Sequence, residues 1–149
     1  MKIKAISLWQ PWASAMALGL KRNETRSWST HYRGPLAIHA SKKDGSELFE
    51  WWLTLKRNST IIDSAFHLAG INQFHQLPRG CVVAVGRLVD VVRTEIERDA
   101  IGHSELILGD YTDGRFAWKF TNIKALPTPI PARGAQGFFD VDVPEEALR

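Results

Sequence analysis

The run over residues 81–92, dense in valine and twelve residues long, constrains the fold of this chain most. β-branched side chains favour an extended strand, and this one is long enough to bend around a barrel, with Gly86 as the kink. Shorter strand-like runs accompany it at residues 3–8, 24–29, 34–41, 116–126 and 137–143. The proline-rich stretch 127–131 lacks the backbone donors of a central strand, so it is an extended edge or a loop. Within 34–41, Leu36 and Ile38 share one face and leave His39 on the other.

Helical signals fall between these runs. Pro11 suits the first turn of a helix over residues 11–18, which Gly19 stops. Asp44 and Glu47 make a capping-box pattern ahead of an apolar stripe of Leu48, Trp51, Trp52 and Leu55. Asn58-Ser59-Thr60 reads as a break, 63–74 as a second helix, and 95–100 as a helical turn. The expected fold class is α+β: five or six strands curled into a small mixed barrel, with two or three helices packed on its outside.

Composition narrows the function classes. The 149 residues are 44% hydrophobic and 23% charged, the make-up of one globular domain over 1–149. No apolar run reaches bilayer length and the start of the chain lacks a signal-peptide core, so a cytoplasmic protein without a membrane partner is expected. The single Cys81 excludes an internal disulfide and a cysteine-rich zinc site. The five histidines show no metal-binding spacing, and no metal is expected. Asp110, Asp113, Asp140 and Asp142 would hold a magnesium ion only if the fold gathered them. No GxGxxG, GxxxxGKS/T or GxSxG is present, so no dinucleotide cofactor, P-loop chemistry or α/β-hydrolase catalysis is expected.

Charge is unevenly spread. Residues 1–75 carry ten Lys/Arg against five Asp/Glu, and residues 1–43 carry eight against the single Glu24. Trp9, Trp12 and Trp28 lie in that basic stretch. Cations interleaved with flat rings suit a nucleic-acid surface, because cations neutralise phosphates and rings stack on bases. Tryptophans filling a core beside a solvated lysine face would give the same composition.

The densest polar cluster runs from Lys21 to Trp28. In an extended segment Glu24, Arg26 and Trp28 project to one face, with Thr25 and Ser27 on the other. Such a face binds phosphate through Arg26 or Lys21, stacks a base on Trp28, and accepts an exocyclic amine at Glu24. A solvated, salt-bridged strand end is the plainer alternative. His39 either joins this site or is a hydrogen-bonded barrel histidine. Arg133-Gly134-Ala135-Gln136-Gly137 is a glycine-bearing basic loop whose backbone N–H groups suit a phosphate, or a simple turn.

These residues resemble a known family. Ser7-Leu8-Trp9-Gln10-Pro11-Trp12-Ala13-Ser14, Gly19-Leu20-Lys21, Glu24, Arg26-Ser27-Trp28 and Arg33-Gly34 are similar to the signature of the ASCH domain, in the PUA-like superfamily. Residues 80–85, 109–118 and 129–134 resemble small bacterial and phage ASCH proteins, so the likeness covers nearly the whole chain. It implies a PUA-like pseudo-barrel with a cleft beside the first helix, lined by Gln10, Lys21, Glu24, Arg26 and Trp28; Trp12, Arg33, His39 and Arg133 are further candidate ligand contacts read from the residues themselves. It also implies binding of RNA, another nucleic acid or a nucleotide. Some family members are amidohydrolases acting on acylated cytidine, and ribonuclease activity is attributed to others. The amidohydrolases use a lysine, a threonine three residues on, and a distant acid. Lys21 matches, Glu24 occupies the threonine position, and Asp110 is the expected distant acid.

Three functions follow as expectations: a binding module for nucleic acid or nucleotide, a metal-independent hydrolase or ribonuclease using Lys21 and Glu24, and a protein adaptor using the Trp51-Trp52 helix.

Overall fold

The computed structural model describes residues 1–149. Six strands form one mixed sheet: β1 (Lys2–Leu8), β2 (Asn23–Arg26), β3 (Gly34–Ala40), β4 (Cys81–Arg93), β5 (Phe116–Pro131) and β6 (Phe139–Asp142). Their spatial order is β2-β5-β4-β3-β1-β6, with β1 and β3 parallel and every other pair antiparallel. Five helices accompany the sheet: α1 (Trp12–Ala17), α2 (Ser46–Asn58), α3 (Thr60–Leu68), α4 (Thr94–Glu97) and α5 (His103–Ile107). The class is α+β, as the sequence implied, with more short helices than expected. None of the helices is long and apolar enough to cross a membrane.

The valine-rich β4 sits at the centre because both of its faces are covered. Val83, Ala84 and Leu88 face one cluster with Ile6, Leu36, Ile38, Trp118 and Phe120. Val82 and Val85 face a second cluster with Ala5, Ala37, Leu126 and Val141. A register shift against β5 brackets Gly86, and a Cβ there would lie 3.0 Å from Ile123 Cγ1. Bulges of this kind bend a strand, so the expected kink is present. The proline stretch forms the far half of β5. It pairs with β4 but not with β2, which reaches only Phe116 to Lys119, so the prolines occupy a one-sided edge.

The sheet is not closed. β2 and β6 are each four residues long and share no hydrogen bonds. Aromatic contacts bridge the gap instead: Phe138, just before β6, packs edge-on against Trp28, just after β2, at 5.6 Å, and against Tyr32 at 5.7 Å.

α1 is wedged between layers. Ala13 and Met16 pack on the sheet, whereas Ala15 meets Trp52, Leu55, Ile62 and Phe66 of α2 and α3. Two helix starts differ from the sequence expectation. α2 begins after Gly45, which shifts Glu47 out of the third helical position, so the Asp44–Glu47 capping box does not form; Asp44 Oδ1 accepts from Gly45 N instead. The expected break at 58–60 is a working cap: Ser59 Oγ accepts from Ile62 N at 3.1 Å, starting α3 early, and Gly70 at φ +77° follows its end.

Candidate functional site

One large cleft, about 1730 Å³, opens where several elements converge. Ser7, near the carboxyl end of β1, and His39, near that of β3, lie at its base. Residues 24–28 form one side, residues 107–110 with Arg115 another, and the 131–137 loop a third. Trp9, Trp12, Trp51 and Lys42 complete the lining.

Glu24 organises the first side. Its Oε1 is 3.3 Å from Lys21 Nζ, and its Oε2 is 3.1 Å from Arg26 Nη2. Arg26 Nη2 also donates to the Ser7 carbonyl at 2.8 Å, which fixes the guanidinium over the end of β1. Lys21 is 1% exposed and donates to the Leu108 carbonyl at 2.8 Å. Its ammonium is therefore an internal strut between the turn after α1 and the segment after α5. It does not line the opening, contrary to the expectation for this residue. Glu105, which accepts from Arg22 N at 3.0 Å, and Thr25 Oγ1, which accepts from Asp110 N at 3.0 Å, pin the same two segments together.

Gln10 is also displaced from its expected place. It is fully buried, accepting from Ser14 N at 3.0 Å and donating to Ser14 Oγ and the Pro78 carbonyl. Both of its N–H donors and its carbonyl oxygen are engaged with α1 and the turn before β4. Arg33 lies outside the cleft as well, because its guanidinium donates to the carbonyls of Thr30 and Tyr32 and pairs loosely with Asp90. Trp12, Glu24, Arg26, Trp28, His39, Asp110 and Arg133 do share the cleft. The four metal-capable aspartates are not gathered; no cluster suited to a metal ion is present.

Trp9 and Trp51, read from the sequence as part of a basic aromatic stretch and of an adaptor helix, line this cleft, as do Lys42 and Arg115, which sequence reasoning missed. Trp9 and Trp51 are 46% and 45% exposed, whereas the adjacent Trp52 is buried. Trp51 meets Trp12 edge-on at 5.9 Å, and Lys43 Nζ lies 4.0 Å above the Trp9 ring. Arg26 and Arg115 already face Glu24 and Asp110, but Lys42, Lys43 and Arg133 have no carboxylate within ion-pair distance. Lys42 and Arg133 line the cleft, and Lys43 adjoins it through the Trp9 ring, so these three carry the positive charge not paired with a carboxylate there.

Asp110 is held ionised by its surroundings. The Thr112 hydroxyl and backbone N–H donate to Oδ1 at 2.7 and 3.2 Å, and the Arg115 guanidinium lies 3.5 Å from Oδ2, which together lower its pKa below the ordinary 3.8. A carboxylate depressed in this way adds stability above pH 3.8 that is lost as pH falls through the lower folded value. An NMR titration of the Asp110 carboxyl is expected to show a midpoint under 3.8, moving up in Thr112→Val. A wild-type midpoint at or above 3.8 contradicts this geometry. Tyr111, 5% exposed, has its phenol pushed upward, chiefly by burial, and stays neutral.

The open α+β sheet thus carries an aromatic and cation-bearing cleft at the carboxyl ends of its parallel strands. The ASCH domain profile matches residues 6–129, and the chain belongs to that family. Over the same 142 residues, 92% of this chain, it is similar to activating signal cointegrator 1 of Mus musculus at 25% identity and of Homo sapiens at 51%. The chain spans 22% of the length of these relatives, about a fifth. The crystal structure of an ASCH protein from Zymomonas mobilis aligns with a TM-score of 0.52 at 16% identity, covering 97% of this chain and 89% of that one. A mutant of it gives 0.54, again at 16% identity, covering 93% and 89%. At that identity the likeness is one of fold.

Proposed function

We propose that this ASCH chain acts as one domain that binds single-stranded nucleic acid, RNA in the first instance, in the cleft beside α1. The observation that carries the reading is the pairing of exposed Trp9 and Trp51 with the uncompensated Lys42, Lys43 and Arg133 around one opening. Exposed indoles lose little by stacking on bases, and unpaired cations gain most from phosphates. Trp28 and Trp12 extend the stacking surface inward, and Glu24 presents a carboxylate to base amino groups.

A hydrolase centred on Lys21 fits this geometry poorly, since its ammonium is sealed against Leu108 and Glu24. Electrophoretic mobility shift tests the binding reading. Single-stranded RNA is expected to shift, and duplex DNA of equal length to shift much less, because paired bases cannot stack on the indoles. Absence of any shift with single strands, or preference for duplex, contradicts it.

A further inference from the structure

Beyond binding, we propose that Ser7 and His39 form a nucleophile–base pair able to cleave a carboxylic ester or similarly activated acyl group. Ser7 Oγ lies 2.9 Å from His39 Nδ1, and His39 Nε2 lies 2.7 Å from the Ala132 carbonyl. A carbonyl oxygen can only accept, so Nε2 carries the ring proton. Nδ1 is then the bare nitrogen, and the Ser7 hydroxyl must donate to it. That is the polarity a general base needs to activate a serine.

Three features hold the arrangement. Ser7 and His39 are register partners on the parallel strands β1 and β3, and a register shift of β3 against β4 between Ile38 and His39 re-aims the histidine. Gly134 closes over the ring so tightly that a Cβ there would lie 2.7 Å from His39 Cε1 and 3.3 Å from Ser7 Oγ. The imidazole is 1% exposed, whereas Ser7 is half-buried and faces the cleft, so solvent reaches the nucleophile and not the base. Arg26, bonded to the Ser7 carbonyl and paired with Glu24, fixes the backbone that carries the nucleophile.

In the reaction, Ser7 Oγ attacks the acyl carbon while its proton passes to His39 Nδ1. The carbon–oxygen bond to the alcohol breaks, and the alcohol leaves with that proton. Water then attacks the acyl-serine, gives a proton to Nδ1, and releases the carboxylic acid as Ser7 regains its hydrogen. Ala132 is a positioning residue, supplying a neutral carbonyl where other such sites use a carboxylate.

A fluorophosphonate probe tests the pair. The Ser7 oxygen–phosphorus bond forms, fluoride leaves, and the proton goes through His39 to water. Wild type is expected to gain the probe mass on the Ser7 peptide, Ser7→Ala to gain none, and His39→Gln to react on the order of 100-fold more slowly. Should His39→Gln fail to fold, the wild-type labelling rate against pH decides the matter, since it must fall as the imidazole protonates. An unlabelled Ser7, equal labelling in folded His39→Gln, or a flat pH profile overturns the proposal. A chain that labels at Ser7 but shifts no RNA keeps this inference and loses the binding one.

Discussion

Lys21→Met is expected to destabilise the fold by about 3 kcal/mol, a fall in Tm on the order of 10 °C. Lys21 is 1% exposed, and its ammonium serves Glu24 Oε1 and the Leu108 carbonyl together. Its removal leaves a carboxylate only 13% exposed with Arg26 as its single cation, and a buried carbonyl without its donor. Breaking a buried pair costs more than the pair contributes, because the surviving charge stays desolvated. Adding Glu24→Leu is therefore expected to recover part of the loss. Urea unfolding measures both. A change within about 0.5 kcal/mol in Lys21→Met, as for an open surface lysine, contradicts the strut.

The second large effect concerns binding. The double variant Trp9→Ala, Trp51→Ala is expected to lose on the order of 100-fold in affinity for single-stranded RNA, since each stacked base contributes about 1–3 kcal/mol. Both rings are close to half exposed, so the fold should survive, and thermal melts would confirm this. Fluorescence anisotropy with a labelled oligonucleotide reads the affinity. Unchanged affinity in a folded double variant removes the stacking surface from the account.

Particular residues explain what the sequence disclosed. The valine run announced β4, and strand alternation put Glu24 beside Arg26, but β2 ends at Arg26, and Thr25 and Ser27 line the same cleft as Glu24, Arg26 and Trp28. Alternation did not reveal that Lys21, in the turn before β2, folds inward, because that depends on a carbonyl 87 residues away. Gln10 was misplaced for the same reason: its partner at Pro78 is distant in sequence. In α2, Trp51 and Trp52 both fit the apolar stripe, and only the packing of α1 and α3 selects Trp52 for the core. Barrel closure depended on edge strands too short to meet, and no local pattern encodes that gap.

The most direct test of the cleft is the salt dependence of RNA binding, followed by quenching of tryptophan fluorescence. With Lys42, Lys43 and Arg133 as the unpaired cations, log Kobs is expected to fall against log salt with a slope of about −2, from about 0.7 per neutralised phosphate on a single strand. Saturable quenching with that slope is the predicted result. Quenching that never saturates, or affinity that does not change with salt, would contradict the claim that this cleft is a nucleic-acid site.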